Sequence, residues 1–305
     1  MMKIAFIGGV KFSHELLSSI LDNEWDVSVV FSYNDSKKKY YSDIANFGEL
    51  TKKHNVRHIQ VNNINDDENI QILQKINPDL ILVMGWSQLL DHKIIKIPKL
   101  GVIGSHPTEL PKFRGRAPIP WSIVKKLKES ALTFFYIDEG IDHGDIIDQS
   151  KFNISSEDDA TSIYEKVIDL GKKMILDNLV LLKNNKIIIK KQIQSEFIEN
   201  WPKRTMDDGK INWNDSSEDI HRLIRATTSP YPGAFTKFND EKLIIWKSNF
   251  LDNLKGSPGL ISEIHNDFVL IGTGKGKLKI LKASYGNKYK LNEIFSSTDI
   301  GSKLE

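Results

Sequence analysis

The sequence predicts an α/β fold: a mostly parallel sheet with helices on both faces, followed by a smaller all-β subdomain. Three observations predict it. Short apolar runs alternate with amphipathic stretches through the first half, which is the signature of strand–helix–strand units. Beyond about residue 230 the pattern changes to short strand-like runs separated by Gly, Asn and Asp turns, as in a small barrel or sandwich. The 305 residues suffice for about two domains of roughly 100–200 residues each.

Taken in order, residues 4–7 form a first apolar strand, and residues 12–21 repeat apolar side chains at helical spacing with Ser13 placed to cap them. A second strand covers 27–31, and the polar run 34–39 reads as a loop. Residues 47–53 read as helix, 56–61 as strand and 66–75 as helix. The buried strand 78–83 runs into Gly85-Trp-Ser87, and Leu100-Gly-Val-Ile103 is a further buried strand. Helix is expected over 119–128, strand over 132–137 and 146–154, and a long helix over 159–182. Residues 187–193 are apolar and β-branched. The stretch 196–212 has little periodicity and reads as a linker between a catalytic domain, 1–195, and a C-terminal unit, 213–305. In that unit Ser217-Glu-Asp219 opens a helix reaching about Ala226. Strands follow over 234–238, 242–246, 259–264 and 268–271, with a fifth over 278–281.

Composition narrows the function. Hydrophobic residues make up 40% and charged residues 27% of the chain, ordinary values for a globular protein with a sizeable core. No apolar run approaches the roughly 20 residues that span a bilayer. The N-terminus reads as a first strand rather than a signal peptide, so cytoplasmic residence is expected. With no cysteine, disulfides, thiolate metal sites and cysteine nucleophiles are excluded, and no metal is expected. The 42 basic residues against 40 acidic ones give no global attraction to nucleic acid or membrane.

The most informative stretch is Gly104-Ser-His-Pro-Thr-Glu-Leu-Pro-Lys-Phe-Arg-Gly-Arg-Ala-Pro118, followed by Asp142-His-Gly-Asp145. It places one imidazole, His106, behind a buried strand, in a loop stiffened by prolines and carrying Arg114 and Arg116. A His after a strand is most often a satisfied core or surface residue. Paired with a carboxylate, it serves as a general base near neutral pH.

His106-Pro-Thr-Glu-Leu-Pro-Lys-Phe-Arg-Gly115 closely resembles the His-x-Ser-Leu-Leu-Pro-x-x-Arg-Gly signature of the folate-dependent formyltransferases, and Asp142-His-Gly-Asp145 looks like that family's second signature. In the tail, Lys203-Arg-Thr-Met-Asp-Asp-Gly-Lys-Ile-Asn-Trp213, Leu223-Ile-Arg-Ala226 and Tyr231-Pro-Gly-Ala-Phe235 are similar to the C-terminal region of methionyl-tRNA formyltransferases. They are at least as similar to bacterial sugar-nucleotide N-formyltransferases. The resemblance implies a Rossmann-like catalytic domain, an OB-like barrel and 10-formyltetrahydrofolate as formyl donor.

It also implies site residues. His106 and Asp142 would be the catalytic pair. The donor would lie on two segments, Met84, Gly85, Trp86, Gln88, Leu89 and Leu90 in one, and Ile137, Asp138, Glu139, Gly140 and Asp142 in the other. Ser87, Pro107, Thr108, Arg114, Gly115 and Arg116 are the acceptor-side candidates, the guanidinium groups suiting phosphates. The family places Asn two residues before its catalytic His, whereas this chain has Gly104. The missing amide leaves the formyl oxygen to Ser105, Ser87, Gln88 or a backbone N–H. The spelling of the Arg114–Pro118 loop and of the 203–209 linker looks more like the sugar enzymes. The expected acceptor is therefore a nucleotide-linked amino sugar, a 4-amino-4,6-dideoxyhexose of surface glycan synthesis, with no nucleic-acid or membrane partner and a homodimer as the assembly allowed for. Two alternatives stay open: a methionyl-tRNA formyltransferase, and a catalytically impaired folate-binding relative.

Overall fold

The computed structural model describes residues 2–34, 36–37, 42–193 and 198–305. Much of the 34–39 loop and the start of the 196–212 linker lie outside these. The chain divides into two compact units. The first comprises Met1–Pro118, Lys128–Asn153 and Tyr164–Pro202; the second comprises Ile119–Leu127, Ile154–Ile163 and Lys203–Glu305.

The first unit is built on β1 (Ile4–Gly8), α1 (Lys11–Asp22), β2 (Val27–Tyr33), α2 (Gly48–Lys53), β3 (Arg57–Val61), α3 (Asp67–Ile76), β4 (Leu80–Met84), α4 (His92–Ile95) and β5 (Val102–His106). There follow β6 (Phe113–Gly115), α5 (Pro118–Val124, which after Pro118 falls in the second unit), β7 (Glu129–Tyr136), β8 (Ile146–Asn153), α6 (Ala160–Lys183, whose first turn falls in the second unit) and β9 (Glu199–Trp201). Seven strands form one sheet in the order β3-β2-β1-β4-β5-β7-β8. The first five run parallel, while β7 and β8 are antiparallel to their neighbours.

Both faces of this sheet are covered, which is why β1 and β4 are apolar throughout and wholly buried. Ala5, Ile7, Val29, Phe31, Ile81, Val83 and Val102 point to one face, where they pack with Ile70 and Leu73 of α3 and Ile94 of α4. Their alternates Ile4, Phe6, Val30, Leu80 and Leu82 are fully buried on the other face. The amphipathic α1 buries Phe12, Leu16, Leu17, Ile20 and Leu21. Ser13 lies inside this helix rather than at its cap, and its hydroxyl accepts from the Val10 N–H at 2.9 Å.

Strand order reverses between β1 and β4, and ligands of such sheets bind beyond the carboxyl ends of the strands at that point. The parallel register pairs Val83 with Gly104, so Met84 and Gly85 continue beside Ser105 and His106.

The second unit holds α7 (Ser217–Thr227) and β10 (Ala234–Phe238), β11 (Glu241–Leu251), β12 (Ile261–Ile264), β13 (Val269–Gly272) and β14 (Lys277–Tyr285), with a short α8 (Leu291–Ile294). The five strands form an antiparallel sheet in the order β10-β11-β14-β13-β12, the small barrel-like β subdomain that the sequence predicts. Register shifts around Lys247 bend β11. Ile220 and Ile224 of α7 join Leu243, Ile245, Ile271, Leu278 and Ile280 in its core.

Candidate active site

His106 ends β5, and the residue is 6% exposed. Its Nδ1 stands 3.8 Å from Asp142 Oδ2, while its Nε2 is buried with no hydrogen-bond partner among the described residues. Burial holds the imidazole below its usual pKa, opposed by the Asp142 charge and the Phe113 backbone. Burial thus favours the neutral ring. A proton on Nδ1, beside the carboxylate, leaves the Nε2 lone pair as an unshared acceptor.

Asp142 belongs to the loop between β7 and β8, which folds back over β5. Its φ is 49°, a left-handed conformation that Asp tolerates better than most residues. Its Oδ2 accepts from the Gly115 N–H at 2.9 Å. Gly115 has to be glycine: its φ is 103°, and a Cβ there would sit 2.3 Å from the Trp201 carbonyl. That contact comes from β9, which pairs with β6. Trp201 stacks on Phe113 with ring centroids 4.8 Å apart. Part of the expected linker thus braces the 113–115 strand and its loop.

The two segments expected to hold the donor share one apolar cluster, in which Trp86 and Leu90 from the first and Ile137 from the second pack on the β4–β5 core. Met84 is fully buried. Trp86 stacks on Tyr33 at 3.9 Å and leaves its Nε1 buried without a partner among the described residues. Leu89 and Ile141 are 66% and 58% exposed. Asp138 closes its own turn, accepting from the Gly140 N–H and pairing with His143, both at 2.9 Å. Glu139 and Gly140 are exposed.

Several candidates are placed elsewhere. Ser105 adjoins His106 within β5, and strand alternation turns its hydroxyl to the opposite face. Gln88 spends its amide on the 62–64 backbone: Oε1 accepts from the Ile64 N–H at 3.0 Å and Nε2 donates to the Asn62 carbonyl at 2.7 Å. Neither supplies the missing amide donor beside His106. Thr108 is fully buried, and its hydroxyl donates to the Phe113 carbonyl, so it supports the loop rather than facing a substrate. The Pro107 carbonyl accepts from Ser130 Oγ at 3.4 Å. Arg114 is 7% exposed and donates to Gln192 Oε1 at 2.8 Å. Arg114 is thus withdrawn from solvent, whereas Arg116 and Ser87 are exposed. The Ser87 N–H donates to the Tyr33 hydroxyl at 2.8 Å. Over Gly104, where the family has Asn, a Cβ would lie 3.0 Å from the Ile137 side chain; isoleucine fills that space.

Gln192 and Trp201 are the residues that sequence reasoning missed. The tryptophan in a polar stretch was a signal for the second; nothing in the sequence marks the first.

Among the described residues no group of three or more His, Cys, Asp or Glu could hold a metal ion, and no helix is long and apolar enough to cross a membrane. The protein is 31% identical over 293 residues to the methionyl-tRNA formyltransferase of Alkaliphilus oremlandii, covering 95% of this chain and 94% of that one. It is 33% identical to the bifunctional polymyxin resistance protein ArnA of Wigglesworthia glossinidia brevipalpis, over 88% of this chain and 40% of that protein. It shares a fold with the N-formyltransferase of Helicobacter canadensis solved with folinic acid and dTDP-3-aminofucose, at a TM-score of 0.67 and 21% identity over 92% of this chain and 99% of that one. Residues 2–179 match the formyl transferase family and residues 203–297 match its C-terminal domain. With the family's model matching more than half of its length and 31% identity to a member across nearly all of it, this chain belongs to the formyltransferases.

Proposed function

We propose that this enzyme moves the formyl group of 10-formyltetrahydrofolate to the amine of a nucleotide-linked amino sugar, a 4-amino-4,6-dideoxyhexose. The observation that carries the chemistry is His106, buried, with Nε2 unshared and a carboxylate facing its other nitrogen. The donor supplies an activated formyl carbon. Residues 84–90 and 137–142 fit it: the exposed side chains of Leu89 and Ile141 offer apolar surface to a flat ring system, with backbone groups beside them.

His106 Nε2 accepts the proton that the attacking amine nitrogen loses as it bonds to the formyl carbon. Asp142 stabilises the imidazolium so formed. His106 then returns the proton to the departing nitrogen, so that a formamide is made and tetrahydrofolate is released. Negative charge develops on the formyl oxygen meanwhile. With Gly104 bare, Ser105 turned away and Gln88 engaged, the donors left to it are Ser87, backbone N–H groups and the imidazolium itself.

The acceptor assignment is supported by charge. Arg116 is the one exposed guanidinium of the catalytic loop, enough for a diphosphate. The tRNA enzymes carry a basic insertion after the second strand, where this chain has only Lys37, Lys38 and Lys39, the last two outside the described residues. Residues 196–212 set Lys203, Arg204 and Lys210 against Glu196, Glu199, Asp207 and Asp208. A tRNA surface needs many phosphate contacts. The Helicobacter canadensis protein, similar in fold over most of both chains, was solved with an amino-sugar nucleotide. The tRNA reading is favoured in turn by the identity to the Alkaliphilus oremlandii enzyme. Incubation with 10-formyltetrahydrofolate and a panel of 4-amino-sugar nucleotides, beside charged initiator tRNA, separates the two by tetrahydrofolate release. Release with tRNA and with no sugar nucleotide would overturn the proposal.

A further inference from the structure

Gln192 lies outside every motif that marks the site, in a stretch the sequence shows only as apolar and β-branched. Its side-chain amide nevertheless reaches three parts of that site. Nε2 donates to the Asp142 carbonyl at 3.0 Å and to the Gly144 carbonyl at 2.7 Å. Oε1 accepts from Arg114 Nη2 at 2.8 Å. Both amide hydrogens and the carbonyl oxygen are thus engaged.

We propose that Gln192 is a positioning residue for formyl transfer: its amide clamps the 142–144 turn to the Arg114 loop and so holds the Asp142 carboxylate opposite His106. The bonds close a ring. Gln192 holds the Asp142 backbone, Asp142 Oδ2 holds the Gly115 N–H at 2.9 Å, and Arg114, next in the chain to Gly115, returns to Gln192. Remove Gln192, and the left-handed turn at Asp142 loses the donor to two of its carbonyls. The carboxylate is then tied to the catalytic loop through Gly115 alone. Arg114 is buried and makes no ion pair among the described residues, so it too loses the partner of its Nη2. A carboxylate acting on His106 across 3.8 Å is sensitive to such loosening, since misplacements of about 1 Å cost on the order of 100-fold in rate.

The inference rests on the reading of His106 and Asp142 as the catalytic pair, and the test separates the two. Gln192→Ala, Asp142→Asn and the double variant are compared in the full-length protein, with 10-formyltetrahydrofolate and whichever acceptor of the panel is turned over. The His106 ring is titrated by NMR in each variant without ligands. For Gln192→Ala the expectation is a kcat lower by roughly 10–100-fold, KM for both substrates within a few-fold, and a His106 titration moved to lower pH, as in Asp142→Asn but by less. The double variant should be no slower than Asp142→Asn alone, because the clamp acts through the carboxylate. If Gln192→Ala does not fold, Gln192→Glu is measured in its place; it keeps the oxygen facing Arg114, removes the N–H groups, and should show the same losses. A folded variant with wild-type kcat and an unmoved His106 titration overturns the proposal, as does a double variant whose losses multiply. Should Asp142→Asn itself turn over normally, the catalytic pair falls and the clamp with it. Should only Asp142→Asn be crippled, the clamp alone falls.

Discussion

Asp142→Asn isolates the charge of the proposed catalytic pair. The substitution keeps the side chain's shape, and its amide oxygen can still accept from the Gly115 N–H that Asp142 Oδ2 meets at 2.9 Å, so the turn should survive. What disappears is a negative charge 3.8 Å from His106 Nδ1. At that separation two unit charges interact by about 4 kcal/mol at an effective dielectric of about 20. Asp142 is partly open to water, its side chain 18% exposed, so this is an upper bound. At about 1.4 kcal/mol per decade it corresponds to at most about three decades. The imidazolium formed during transfer loses this support, and kcat should fall by roughly 100–1000-fold. The direction with pH follows. Burial already lowers the His106 pKa and Asp142 opposes that shift. Without the carboxylate the pKa drops further, and the acid limb of kcat, where His106 becomes protonated and ceases to be a base, moves to lower pH. The assay is tetrahydrofolate release against pH with a common acceptor, so that titration of the acceptor amine is shared by both enzymes. A limb that stays in place, with kcat within a few-fold of wild type, would refute the pairing.

His106→Ala should abolish nearly all transfer and leave circular dichroism and cooperative unfolding close to wild type, since the ring ends a strand and makes no hydrogen bond through Nε2; a folded variant with near-normal turnover would remove His106 from the mechanism. Gly104→Asn restores the family residue but meets Ile137 at 3.0 Å. Alone it should lower stability by roughly 1–3 kcal/mol through overpacking, and the second change Ile137→Val should recover part of this and preserve or raise kcat, as thermal melts and turnover will show. Arg116→Ala should raise the acceptor KM well above any change in the folate KM. Acceptor binding should also weaken only mildly between about 50 and 200 mM salt, whereas a tRNA acceptor would lose orders of magnitude. Equal shifts in both KM values would take Arg116 out of acceptor binding.

Much of the fold was legible because it rests on local periodicity. The buried runs at 4–7, 27–31 and 78–83 became β1, β2 and β4, and the five strand-like runs of the tail became the antiparallel sheet of the second unit. Elements whose pairing partner lies far away in sequence were read short or missed. Residues 242–246 became the longer β11, whose far half pairs with β14. The three-residue strands β6 and β9 exist only through each other, and the antiparallel turn of β7 against β5 carries no period of its own.

By itself the sequence determined the layer architecture and the family, and it singled out His106 and Asp142 as candidates, because residue types at short spacing mark strands, prolyl loops and signatures. Tertiary structure alone decided that Asp142 stands 3.8 Å from His106, that Ser105 faces away, that Gln88 is already engaged, that Ile137 occupies the space above Gly104, and that Gln192 ties the turn to the loop. The reason is physical. Each of these depends on where a side chain points once its loop has closed, and that direction is set by contacts between segments far apart in the chain, which local patterning does not encode.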